Sequence, residues 1–142
     1  MKKLLVPVDG SGAALRALHA AMTLAKLAPD SSIHLVHAHE EPRVYGEIAV
    51  YVTREKMAAL QRKQCEAVLD RAEAEIKGSG VRYTREVLEG SLGRTIAEHA
   101  ERLRCDAIVM GRHGESALAD MLMGSVAQKV LHASRLPVLL LR

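Results

Sequence analysis

Short apolar runs alternate with helical patterns along the whole chain, and this alternation constrains the fold more than any other feature. Each run has the length and composition of a β-strand, and the segments between them repeat apolar residues at helical spacing. Strands are predicted at residues 4–8, 33–38, 81–88, 107–110 and 137–141, and helices at 13–28, at 53–77, from Ser91 and from Gly124. The helix at 53–77 is amphipathic, and the face predicted to pack on the core carries Met57, Leu60, Gln64, Val68, Ala72 and Ile76. This order favours an α/β fold in which a five-stranded, doubly wound parallel sheet has helices on both faces.

The predicted strands differ in their expected burial. The first, fourth and fifth are apolar throughout, which predicts that both of their faces are covered. The third alternates polar and apolar residues, which is typical of a half-exposed strand near a sheet edge. Residues 40–52 show no clear periodicity, and we expect them to form a mobile loop.

Composition limits the classes of function. The 142 residues contain no repeat or linker, which predicts a single domain over residues 1–142. Three Tyr with no Trp or Phe, and a net charge of only +3, disfavour a nucleic-acid partner. Cys65 and Cys105 are predicted to be reduced thiols. No segment approaches the roughly 18 apolar residues of a membrane span, so we expect a cytoplasmic protein without a membrane partner.

A cluster of glycines marks a candidate anion site. Residues 111–114 (Gly-Arg-His-Gly) directly follow the fourth predicted strand, and Gly124-Ser125 opens the last predicted helix. Glycine leaves backbone N–H groups uncovered, and a helix start adds unpaired N–H donors at the positive end of the helix dipole. Ordinary turns also favour Gly and Ser, but this spacing from strand end to helix start favours phosphate binding.

The predicted crevice lies where the first and fourth strands end, since ligands of doubly wound sheets bind beyond the carboxyl ends of the strands. Asp9 would face the glycine loop there, and Ala38 would be the third contributor. Asp9 either caps the first helix or binds a ribose hydroxyl or a metal-bound water. His113 lies inside the glycine loop and could donate to phosphate.

Several other motifs are absent or incomplete. Gly10-Ser11-Gly12 begins a dinucleotide fingerprint, but Leu15 occupies its third glycine position. Neither GxxxxGK[ST] nor GxSxG occurs, so the pattern favours holding a nucleotide over breaking it. His34, His37 and His39 alternate between the two faces of their strand, and these three side chains therefore cannot form a metal site by themselves.

Four segments together resemble the universal stress protein family. They are residues 3–11 (KLLVPVDGS), 35–38 (LVHA), the glycine motif of residues 109–114 with 124–126, and 136–140 (LPVLL). The spacing G-x2-G-x9-G-[S/T] is typical of the ATP-binding branch of that family. The resemblance implies strand order 3-2-1-4-5 in a Rossmann-like fold of the adenine nucleotide alpha hydrolase type. It also implies bound ATP and a homodimer that pairs through the last strand, Val138–Leu141.

Position by position, the resemblance also implies a ligand-binding set. Pro7, Val8 and Asp9 would line the adenine and ribose, and the backbone of Ala38 would contact the adenine edge. The remaining predicted contacts to ribose and phosphates are Met110, Gly111, Arg112, His113, Gly114, Gly124, Ser125 and Val126. Family members often have Ser or Thr where this chain has Arg112, whose charge would either strengthen the phosphate contact or block the usual backbone path.

Three functions are compatible with this reading. The first is an ATP-binding regulatory module in the stress response, because a phosphate loop occurs without a recognisable catalytic order of residues. The second is a slow ATPase or nucleotidyl-transfer enzyme, with Asp9 holding Mg²⁺ and His113 near the phosphates. The third is a nucleotide-independent dimeric interaction protein. The exposed apolar edge predicted at the end of the chain favours dimerisation in each case.

Overall fold

Strands and helices alternate as the periodicity predicts. The computed structural model describes residues 1–40, 53–114 and 123–142, so most of the loop predicted at residues 40–52 lies outside the described residues. The strands are β1 (Lys3–Pro7), β2 (Ser32–His39), β3 (Arg82–Glu89), β4 (Ala107–Gly111) and β5 (Val138–Leu141). The helices are α1 (Gly12–Leu27), α2 (Arg54–Ile76), α3 (Leu92–Arg102) and α4 (Ser125–Ala133).

The five strands form one parallel sheet in the order β3-β2-β1-β4-β5. β1 lies at its centre, where Leu5 pairs with His34 of β2 on one side and with Ile108 of β4 on the other. The strand order reverses between β1 and β4, and this arrangement places the carboxyl ends of two neighbouring strands beside a crevice. The predicted doubly wound α/β fold and its strand order are confirmed.

Two apolar cores lie on opposite faces of the sheet. Leu4 and Val6 of β1 point towards α1 and α2, whereas Leu5 points towards α3 and α4. Successive side chains of a strand alternate between faces, so a short apolar strand contributes to both cores. Within the described part of the chain no helix is long and apolar enough to cross a membrane, and Cys65 and Cys105 are free and buried.

Two of the burial predictions need correction. β5 is an edge strand and is not covered on both sides, since Leu139 is 44% exposed. In α2 the buried stripe is Cys65, Leu69, Ala72 and Ile76, and Leu60, which was predicted to face the core, is 59% exposed. Apolar content alone could not reveal either outcome, because burial depends on which neighbour covers each face. The prediction that β3 lies half exposed at an edge is confirmed.

Candidate functional site

A cleft of about 490 Å³ opens at the carboxyl ends of β1 and β4, within the usual range of ligand pockets. All twelve residues predicted from the sequence line it. Their role as ligand contacts stays a prediction. Four lining residues were not predicted, and all four come from helices: Ala14, Leu92, Ile96 and Ala127. They belong to apolar helical stripes, a pattern that is the same for core and pocket positions.

The first side of the cleft is the turn between β1 and α1. Ser11 caps α1, since its hydroxyl accepts from the Ala14 N–H at 3.1 Å. Asp9 is therefore not the helix cap; its Oδ1 accepts from the Ser11 N–H at 2.9 Å and so orders the turn. Gly10 has φ +88°, a backbone conformation that residues other than glycine rarely adopt. The local sequence Asp-Gly-Ser thus places the Asp9 carboxylate on the cleft.

The glycines on the second side are required by close approach. A Cβ on Gly111 would lie 2.8 Å from the Ala13 Cβ, and one on Gly124 would lie 3.2 Å from the Arg112 carbonyl oxygen. None of the three loop glycines has a positive φ. Space between the loop, α1 and α4, and not a left-handed turn, therefore explains why side chains are excluded here. A Cβ on Gly114 would face the Asp9 Oδ2 at 3.0 Å, which brings the two sides of the cleft together.

One end of the cleft is rich in hydrogen-bond donors. Gly124 is the N-cap of α4 and has no side chain to cap the helix, while its own N–H donates to the Arg112 carbonyl at 2.6 Å. The first turn of α4 therefore presents backbone N–H groups and the positive end of its dipole. Arg112 Nε and His113 Nε2 are buried without a hydrogen-bond partner among the described residues. Buried polar groups are normally hydrogen-bonded, so these two nitrogens mark this part of the cleft as a candidate ligand contact.

Another part of the cleft lining is apolar. Pro7, Val8 and Ala38 contribute to it from the ends of β1 and β2, and Leu92 and Ile96 contribute from α3. Hydrogen bonds hold the strand ends in place. Val8 N–H donates to the Val36 carbonyl at 2.8 Å, and His37 Nδ1 donates to the Val8 carbonyl at 2.7 Å. The cleft therefore combines an apolar end with a donor-rich end, as an amphipathic ligand requires.

The histidines of β2 point in different directions, as predicted. His37 bonds the Val8 carbonyl, and His39 Nδ1 lies 3.1 Å from the Glu40 carbonyl oxygen. His34 lies on the other side of the strand, where it contacts Glu86 and His99. No local sequence pattern predicts this cluster of His34, Glu86 and His99, because its members are distant in the chain.

Fold and cleft together define a doubly wound α/β protein with a glycine-lined crevice at its topological switch point. The chain matches the Universal stress protein family over residues 1–142 and belongs to that family. Universal stress protein MJ0531 of Methanocaldococcus jannaschii is 30% identical over 99% of this chain and 82% of its own length.

Two solved structures show the same fold. The protein MJ0577 has a TM-score of 0.85 and 26% identity, with 99% of this chain and 94% of that chain covered. The universal stress protein of Archaeoglobus fulgidus in complex with dAMP has a TM-score of 0.73 and 21% identity, with 100% and 98% covered. The second likeness is one of fold alone.

Proposed function

We propose that the cleft binds an adenine nucleotide, ATP in particular, and that the protein is a nucleotide-dependent regulatory module of the stress response. The observation that carries the proposal is a pair of buried side-chain nitrogens, Arg112 Nε and His113 Nε2, which have no hydrogen-bond partner among the described residues and lie near the start of α4. A phosphate group would satisfy both.

The two ends of the cleft suit the two ends of ATP. The adenine ring would lie between Val8 and Ala38 on one side and Ile96 on the other, and the phosphates would lie against the glycine loop and Ser125. An adenine nucleotide is also the kind of ligand bound by the A. fulgidus relative, which is in complex with dAMP. Mg²⁺ bound to the phosphates would find an oxygen ligand in the Asp9 carboxylate, and it would neutralise phosphate charge.

Calorimetric titration with ATP tests this proposal. Ser125→Ala removes a hydroxyl that would bond a charged phosphate, worth about 1.5–3 kcal/mol or about 10–100-fold in Kd. Gly114→Val fills the space next to Asp9 and should weaken binding at least as much. Ser79→Ala is the matched control, because Ser79 lies in the turn before β3 and bonds the Val81 N–H. The proposal fails if the parent does not bind ATP, or if both cleft variants bind like the control.

A slow ATPase is the alternative that the same cleft allows. Asp9 and His113 both line it, and the His113 Nε2 has no partner among the described residues. We expect the purified protein to release phosphate from ATP no faster than its Asp9→Asn variant. A rate that is clearly above that variant's would favour the enzyme instead.

We also propose that two copies pair through the β5 edge, Val138–Leu141. Leu139 of β5 and Leu131 of α4 are 44% and 41% exposed, although both are large and apolar. Leu139→Arg should convert the dimer to a monomer in sedimentation velocity. Leu27→Arg is the control, because Leu27 is 77% exposed at the end of α1 and lies on another part of the molecule. A dimer that survives Leu139→Arg would place the interface elsewhere.

Dimerisation that is identical with and without ATP would favour a nucleotide-independent interaction protein.

A further inference from the structure

Two buried histidines and a glutamate converge at a place outside the nucleotide cleft. His34 of β2 and His99 of α3 are only 6% and 4% exposed. Both direct their Nε2 atoms at one carboxylate oxygen of Glu86 on β3, at 3.1 Å and 2.8 Å. The two Nε2 atoms are 3.4 Å apart. Three potential ligand atoms thus form a small triangle between the sheet and α3.

We propose that His34, Glu86 and His99 bind one divalent transition-metal ion, of which Zn²⁺ is the best fit. Bonds of 2.0–2.1 Å in tetrahedral geometry separate neighbouring ligand atoms by about 3.3 Å. The three observed separations, 2.8, 3.1 and 3.4 Å, reach this value with small side-chain shifts. Two imidazoles with one carboxylate is a common set of protein ligands for zinc, with water as the fourth ligand.

The surroundings of the triangle favour a rigid and accessible site. Thr84 lies directly opposite His34 in the β2–β3 register, and its hydroxyl contacts the His34 Nδ1. That hydroxyl can accept the Nδ1–H bond by which a metal-ligating histidine is normally oriented. The Glu86 side chain is 46% exposed, which leaves a route for the ion and its water.

Arg102 opposes the metal-bound form and gives the proposal a distinctive consequence. Its Nη2 donates to the His99 Nδ1 at 2.9 Å, so the His99 proton lies on Nε2 in the metal-free protein. Metal binding through Nε2 requires the His99 proton to be on Nδ1. The Nδ1–H group and the Arg102 Nη2 are then two donors that face each other, unless Arg102 moves away. Arg102 is exposed and can do so. Arg102→Gln replaces the opposing donor with a side chain that can accept from Nδ1–H, and it should bind the metal more tightly than the parent.

Titration of tag-free, chelator-treated protein with Co²⁺ tests the site, because four-coordinate Co²⁺ has intense visible absorption bands. Nucleotide is left out, since phosphates bind divalent ions themselves. We expect one equivalent to bind with a four-coordinate spectrum and Zn²⁺ to displace it. Glu86→Gln and His99→Gln should each weaken binding by more than the roughly 10–100-fold that loss of a supporting hydrogen bond costs. His132→Ala is the matched control, since His132 is exposed on α4.

The outcomes separate a metal site from a hydrogen-bonded network. Absence of the spectrum in the parent, or parent-like binding by Glu86→Gln, overturns the proposal. Glu86 is half exposed, so its variant remains informative even if His99→Gln does not fold, and circular dichroism checks both. Weaker binding by Arg102→Gln would also overturn it, because the argument requires Arg102 to compete with the metal. The readout does not depend on ATP, so failure of the proposed function would leave this test intact.

Discussion

A methyl group added at Gly93 should lower the free energy of unfolding, because α4 already fills the space beside this glycine. It lies in the first turn of α3, and a Cβ built there would be 2.2 Å from the Lys129 Cβ and 2.9 Å from the Lys129 carbonyl carbon. Part of the obstacle is therefore α4 backbone, which cannot rotate away as a side chain can. In Gly93→Ala the two helices would have to separate by roughly 1 Å to reach ordinary van der Waals contact.

The size of the effect follows from two opposing contributions. Overpacking of this kind destabilises by about 1–3 kcal/mol, and the backbone contact places Gly93→Ala at the upper end. The higher helix propensity of alanine offsets about 1 kcal/mol of this destabilisation. The free energy of unfolding should therefore fall by about 2 kcal/mol. With a urea m-value of about 2 kcal/mol per M, the unfolding midpoint should fall by about 1 M.

Urea unfolding followed by circular dichroism, at two protein concentrations, measures this shift. Gly12→Ala is the matched control, because its Cβ would meet only the end of the exposed Arg16 side chain, at 3.2 Å. We expect the control to be at least as stable as the parent, because alanine favours the helix there by up to about 1 kcal/mol. Since residues of both α3 and α4 line the cleft, Gly93→Ala should also weaken ATP binding. Equal midpoints for the two variants would refute the argument that the helices touch at Gly93.

Two further predictions concern other contacts. Ser11→Ala removes the hydroxyl that accepts from the Ala14 N–H and should lower stability by about 1 kcal/mol in thermal unfolding; an unchanged melting temperature would contradict this. The backbone N–H groups of Lys3 and Lys2 lower the pKa of Asp106. The ionised carboxylate therefore stabilises the fold above its usual pKa of about 3.9, and this contribution is lost as pH falls through the lowered value. Asp106→Asn should be less stable than the parent at pH 7 and lose less stability in acid; parallel stability curves down to low pH would count against it.

Much of the fold could be predicted because each strand and helix carries its own local pattern. The order of the elements followed from apolar runs of four or five residues and from helical spacing, as in β4 and α1. The glycine-loop residues of the cleft could be predicted from the sequence for a related reason. Residues 111–114 and Gly124-Ser125 occupy two short segments at strand and helix ends, where the parallel fold brings them together. Strand order came from the family resemblance, since no local pattern specifies which strands are neighbours.

Other features could not be predicted because they depend on contacts between distant segments. Ile96 has the spacing of a core residue, and only the position of α3 over the sheet makes it part of the cleft. The sequence analysis explained the loop glycines by their uncovered backbone N–H groups, and it could not show that Ala13 and Arg112 approach Gly111 and Gly124 closely. The apolar composition of β5 predicted that both of its faces are covered, because composition does not show which elements pack against a strand.

The sequence by itself determined the alternation of strands and helices and the position of the glycine loop, because periodicity and glycine placement are local properties of the chain. The tertiary structure alone decided that His34, Glu86 and His99 share one point. They come from β2, β3 and α3, and His34 and His99 are 65 residues apart. Convergence of that kind arises only when register and helix packing are set, since neither is visible in any one segment.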